Sequence, residues 1–205
     1  MIVGKYKPLD PEKLQFLKDL FLGDSDFQYH RSNTHQQHWL GNLEHGDFWK
    51  DHKELYDYVE KNTYPEDLPI HSSWFKLYTD STKQGTTSGE FIGLHQDKLY
   101  EYPEDKESLV HTTAILLHRS EDASGGYTVL AGDDVLDGPV EKRFKDTRDI
   151  MSRLKVVNLI KTGETCVWNG WTMHGISEME SGTRLSLIIF KKEPFSEDYF
   201  KNGQV

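Results

Sequence analysis

Apolar residues recur at helical spacing in the first third of the chain and at strand spacing after it. In residues 11–22, Leu14, Leu17, Leu20 and Phe21 fall three or four apart, which predicts an amphipathic helix. Pro11 suits its first turn, where a missing N–H leaves nothing unpaired. In residues 47–62, Phe48, His52, Leu55 and Val59 form a second stripe, with Asp47 expected as its N-cap. The segment between them, 24–45, is polar and rich in His, and reads as a loop. From about residue 70 the pattern changes. Segments 74–78, 91–95, 110–117, 127–130, 154–160, 164–168 and 183–191 read as strands. Turn signals separate them, among them Gly125-Gly126, Thr162-Gly163, Asn169-Gly170 and Ser181-Gly182. Helices followed by many short strands predict an α+β protein, mainly β, with a sandwich or barrel core and the helices packed on one outer face. The expected layout is one domain: helical support over 1–70, a β core over 71–192 and a C-terminal tail over 193–205.

Composition narrows the functional classes. A chain of 205 residues with 12% aromatics can bury a sizeable single core. No apolar run reaches the roughly 18 residues needed to span a bilayer, and residues 1–5 lack a leader pattern, so a cytoplasmic location is expected and a membrane partner is not. A formal net charge of −10 repels phosphate backbones, which argues against nucleic acid as a partner. The basic residues of 142–148 are interleaved with acidic ones and read as a solvated face. The single Cys166 excludes an internal disulfide and any zinc site built on several cysteines; its apolar neighbours make it a small core residue.

Ten histidines leave metal binding as the chemistry to test. Three His-x-acid triplets occur: His45-Gly46-Asp47, His52-Lys53-Glu54 and His95-Gln96-Asp97. Residues two apart diverge on a helix but share one side of a strand. His52 and Glu54 fall in the second helical stripe, and Asp47 is better used as a cap. His95 and Asp97 end a strand-like run and can project together. His35 and His38 sit among polar residues of the segment read as a loop, and His111 and His118 have the odd spacing of opposite strand faces.

The C-terminal third supplies a third ligand and a cation. His174 follows Trp171-Thr172-Met173, and ten residues later Arg184 opens an apolar strand. On that strand Arg184, Ser186 and Ile188 face one way, and Leu185, Leu187 and Ile189 the other. An Arg at the start of a buried strand needs an anionic partner, either a protein carboxylate or the carboxylate of a bound small molecule. Two histidines and one carboxylate on one face of an ion form the facial triad of non-haem iron(II) oxygenases.

The order His95-x-Asp97, His174, Arg184, Ser186 resembles the iron(II)/2-oxoglutarate-dependent dioxygenases. So do the Gly125-Gly126 pair opening a middle strand and the phrase 162–168 ahead of His174. The resemblance covers about 74–191, and over 89–97 it is similar to the prolyl-4-hydroxylase-like branch. It implies a double-stranded β-helix, the jelly-roll core of that family. It also implies Fe(II) held by His95, Asp97 and His174, with 2-oxoglutarate and O2 as co-substrates and ascorbate as an accessory reductant. Arg184 and Ser186 would take the far carboxylate of 2-oxoglutarate, and Tyr78 and Thr113 are further candidates for that pocket. The implied reaction is hydroxylation of a C–H bond, on a small-molecule or peptide substrate, with an amino-acid side chain favoured. Segments 98–108 and 134–152 are expected to shape the substrate side. Cupin-type metal enzymes share the jelly roll but use a His-x-His pair, which is absent here. A non-catalytic jelly-roll binding module would need neither the triad nor Arg184.

Overall fold

The computed structural model describes residues 4–23, 30–31, 36–79, 92–95, 97, 108–131, 154–170, 172–177 and 179–194. The elements run β1 (Gly4–Tyr6), α1 (Pro11–Gly23), β2 (His30–Arg31), β3 (Gln36–Trp39), α2 (Asp47–Asp51), α3 (Lys53–Asn62), β4 (Ile70–Thr79) and β5 (Ile92–His95). They continue with β6 (Ser108–Arg119), β7 (Ser124–Gly125), β8 (Thr128–Ala131), β9 (Leu154–Val157), β10 (Thr165–Asn169), β11 (His174–Ile176), β12 (Met179–Ser181) and β13 (Thr183–Pro194). A seven-stranded sheet has the order β1-β10-β6-β13-β4-β3-β2, and a four-stranded sheet the order β5-β11-β8-β9. β12 and β7 form a small ribbon. Every pairing among the described residues is antiparallel.

Two apolar clusters define the layers. Leu14, Leu17 and Phe21 of α1, with Trp49, Tyr56 and Val59 of α2 and α3, pack on Phe75, Ile115, Leu117, Leu185, Leu187 and Ile189 of the large sheet. Each buried aliphatic side chain contributes roughly 1.5–3 kcal/mol to holding the helices on that face. On the opposite face, Ala114, Leu116, Cys166, Trp168 and Ile188 meet Leu130 and Leu159 beneath the small sheet. Strand alternation sends Leu185, Leu187 and Ile189 of β13 to the first cluster and Ile188 to the second, as its sequence predicts. Cys166 is fully buried there, and burial pushes its thiol up to about 12, so it behaves as a core residue.

Several expectations need correction. The second helix is broken: His52 adopts φ −124°, ψ 44° and separates α2 from α3. Asp47 is the first helical residue of α2 rather than its cap; Gly46 occupies that position, and the Asp47 carboxylate accepts from Lys50 instead. Gly46 is required because a Cβ there would collide with the Leu40 carbonyl oxygen. The segment 24–45 is not wholly a loop, since β2 and β3 extend the large sheet beyond β4. The N-terminal segment thus supplies β1, β2 and β3 to the sheet and is not only helical support. β13 also runs to Pro194, past the expected end of the core.

A buried lysine joins sheet to helices. Lys191 is fully buried on β13, and its Nζ donates to the carbonyl oxygens of Glu60 (2.6 Å), Thr63 (2.9 Å) and Pro65 (2.7 Å). Glu60 and Thr63 lie at the C-terminal end of α3, where a cation also meets the negative end of the helix dipole, and Pro65 follows it. No helix among the described residues is long and apolar enough to cross a membrane.

Candidate metal centre

His95 ends β5, and His174 opens β11, directly opposite it in register. Asp97 lies two residues beyond β5. The ligand atoms of the three side chains all fall within 4.8 Å of one another, and they form the one such His/Cys/Asp/Glu group among the described residues. His95 Nε2 is 3.4 Å from Asp97 Oδ1, and His174 Nε2 is 3.3 Å from Asp97 Oδ2. His174 is nearly buried and Asp97 mostly so, whereas half of the His95 side chain is exposed, so the centre has a dry side and an open side. The other triplets are not brought together in this way: His45 is exposed beside Glu44, and His52 lies among Phe16 and Phe48.

Second contacts fix the ligands. His174 Nδ1 lies 3.0 Å from the Thr172 carbonyl oxygen, which holds the proton on Nδ1 and aims the Nε2 lone pair at the centre. Thr172 is set in turn by Asn169, whose Oδ1 accepts from the Thr172 N–H and hydroxyl. Asp97 Oδ2 accepts from Thr112 Oγ1 at 2.7 Å and from Trp168 Nε1 at 2.8 Å. The ligands therefore come from the small sheet and its edge, while the large sheet orients the carboxylate from below. Burial raises the pKa of Asp97, but His174 and then His95 outweigh it and hold the carboxyl well below the usual range. Thr112 and Trp168 were not singled out from sequence. The parity of β10 and β6 places them on the cavity side, but their bond to Asp97 depends on how the sheets face each other.

The centre opens into a cavity of about 180 Å³ between the sheets, lined by His95, Asp97 and His174 at one end and by Tyr78, Arg184 and Ser186 among its walls. Arg184 is fully buried. Its Nη1 donates to the Gly126 carbonyl oxygen at 2.6 Å and its Nη2 to Thr128 Oγ1 at 3.0 Å. No carboxylate among the described residues pairs with it, and burial pushes its pKa down. Arg184 Nε and Ser186 Oγ are both buried without a hydrogen-bond partner among the described residues. A buried guanidinium with no anion is costly, and an orphaned donor costs about 1–3 kcal/mol. A carboxylate entering the cavity would relieve both. The Gly125-Gly126 pair shapes this wall. Both residues adopt positive φ (73° and 64°), and their carbonyls accept from Arg119 and Arg184. A Cβ on Gly126 would also collide with Met179 Sδ.

Tyr78 lines the cavity, with its ring 5.8 Å from the Arg184 guanidinium carbon. Thr113 does not line it. It pairs with Ile189, a residue of the helix-side core, while its neighbour Ala114 takes the cavity side. The single-residue parity of β6 separates the two. Most of the two segments expected to shape the substrate side, 98–108 and 134–152, lies outside the described residues.

The donor set suits a divalent transition metal: His95, Asp97 and His174 would hold it with two imidazoles and one carboxylate, beside the cavity they line. The orphaned Arg184 and Ser186 groups suit an anion reaching in beside it. The residues present fit iron(II) and a keto diacid together.

No protein-family model matches the chain, and no curated protein sequence matches it. Solved structures do. A prolyl-4-hydroxylase from Pseudomonas putida is 15% identical, with 95% of this chain and 94% of that one covered and a TM-score of 0.53. The α-ketoglutarate-dependent epimerase SnoN of nogalamycin biosynthesis is 14% identical over 93% of this chain and 79% of its own, at a TM-score of 0.60. HygX from Streptomyces hygroscopicus, solved with nickel and 2-oxoglutarate, is 11% identical over 94% and 83%, at 0.56. The chain shares the fold of these three structures.

Proposed function

We propose that this protein is an iron(II)- and 2-oxoglutarate-dependent dioxygenase that hydroxylates a C–H bond of an amino-acid side chain, free or peptidyl. One observation carries the reading. A His-Asp-His face borders the same small cavity as a buried Arg184 and Ser186 that have, among the described residues, no carboxylate and no hydroxyl partner respectively. His95, Asp97 and His174 would hold the iron. Arg184 and Ser186 would hold the far carboxylate of 2-oxoglutarate, with Tyr78 beside them. Bound iron supplies oxygen activation, with 2-oxoglutarate giving up two electrons and leaving as succinate and carbon dioxide; ascorbate would keep the metal reduced. The protein's own part is positioning, exclusion of water and charge balance.

The two sheets fit the double-stranded β-helix of this enzyme class. The full-length likeness to a prolyl-4-hydroxylase supports an amino-acid side chain as the target. A carboxylate at position 97 fills the place that a halide would need, which favours hydroxylation over halogenation. The test is spectroscopic. Anaerobic addition of Fe(II) and 2-oxoglutarate to the metal-free protein should produce the weak visible charge-transfer band of the chelate, and His174→Ala should lose it. A folded wild-type protein without the band would overturn the assignment.

A further inference from the structure

The co-substrate reading leaves one cation in the cavity unused. Lys76 lies on β4 opposite Ser186, on the same sheet face as Tyr78, and lines the cavity wall. It is half-buried and makes no hydrogen bond or ion pair with the described residues. Asp97 makes no ion pair with it; its Oδ2 accepts from Thr112 and Trp168 instead. In a chain of net charge −10, such an ammonium on the wall of a binding cavity is a placed charge rather than part of a basic surface.

Charge accounting gives it a role. Among the described residues, Arg184 and Lys76 line the cavity, and with a bound divalent ion they would bring four positive charges to it. Asp97 and a doubly charged co-substrate bring three negative ones. One positive charge is left, on a flexible stem that can follow an incoming group. Beside it the wall becomes apolar, with Ile188 and Phe190 on β13 lining the cavity and Trp74 packed next to them. We infer that the substrate carries a single free carboxylate, which Lys76 binds, and an apolar body lying along Ile188 and Phe190. This rests on the oxygenase reading and narrows it: a free acid is selected over an internal peptide residue, whose carboxyl group is an uncharged amide.

Binding tests this without turnover. The full chain is loaded with Ni(II) and 2-oxoglutarate, a redox-silent pair, and titrated with phenylacetate, indole-3-acetate and N-acetylphenylalanine, each beside its amide. Tryptophan fluorescence and thermal shift are read. At least one acid should bind about tenfold or more tighter than its amide, the worth of one charge-assisted contact. Lys76→Met should erase that difference, Lys76→Arg should keep most of it, and 2-oxoglutarate affinity should stay within about twofold in both. Acids and amides binding alike, or none binding, would overturn the inference. So would a Lys76→Met variant that loses 2-oxoglutarate as severely as Arg184→Met, because Lys76 would then belong to the co-substrate clamp. A wild-type protein that binds no 2-oxoglutarate would instead remove the oxygenase reading on which the inference stands.

Discussion

The two faces of the large sheet are made by the same strands and obey opposite rules. On the helix side, β13 contributes Leu185, Leu187 and Ile189 to a dry core. Its Lys191 ammonium is fully buried but satisfied by three carbonyl oxygens. On the cavity side the same strand contributes Arg184 and Ser186, buried and left with unpaired atoms. The cations are equally deep, so depth is not what distinguishes function. What distinguishes it is completion: the helix-side cation has its donors met within the chain, and the cavity-side one keeps an unpaired Nε among the described residues. Thr113 Oγ1, unpaired on the helix face, is an exception that nothing in the structure explains.

Substitutions should separate the faces. Lys191→Met removes the ammonium that three buried or partly buried carbonyls share, and should cost about 2–4 kcal/mol of stability. Urea unfolding would measure it, and at low temperature the 2-oxoglutarate affinity of the folded fraction should be unchanged. Arg184→Met should show the reverse: a loss of about 2–4 kcal/mol in 2-oxoglutarate binding, seen by calorimetry, and no thermal stabilisation by the co-substrate. If Arg184→Met mainly unfolds the protein and leaves the affinity of the folded fraction intact, the contrast between the faces collapses. Trp168→Phe removes one donor to Asp97 while keeping most of the ring. It should weaken metal affinity by roughly 10–100-fold, about 1.4–2.7 kcal/mol, in a competition titration against a chelator.

The smallest effect is one of pH. His111 is buried beside Glu193 and Tyr64. Burial lowers its pKa more than Glu193 raises it. The unfolded chain therefore takes up this proton at higher pH than the folded one. The contribution of His111 is complete above about pH 6.5 and is lost as pH falls through the lower folded value. His111→Gln should flatten the dependence of the urea midpoint between pH 7.5 and 5, an effect of less than about 1 kcal/mol. A steeper dependence in the variant would reverse that sign.

Much of this could be read from the chain before its structure. The alternation of β13 and the stripe of α1 are local periodic signals backed by burial, the His95/Asp97 pairing is a local spacing signal, and the structure keeps all three. The misread parts lack such signals. β3 has the sequence Gln-Gln-His-Trp and no apolar alternation; it is a strand because β4 offers it an edge. The break at His52 interrupts a continuous stripe without Gly or Pro to announce it. Gly46 replaces Asp47 at the helix start because the Leu40 carbonyl crowds that point, a contact between backbone atoms six residues apart in sequence. Lys76 and Trp168 acquire meaning only once the two sheets are set face to face.

The position of Lys191 changes how the end of the chain should be regarded. It lies seven residues after Arg184 on an unbroken strand, about 23 Å along it. One strand therefore carries both the cation we propose for the co-substrate and the clasp behind the end of α3. A truncation after Phe190 would spare every residue assigned to the cavity and still unfasten the helical layer behind it. The closing segment acts as a latch between cavity wall and scaffold. Ligand occupancy on one side should then be felt as slower amide exchange in α3 on the other.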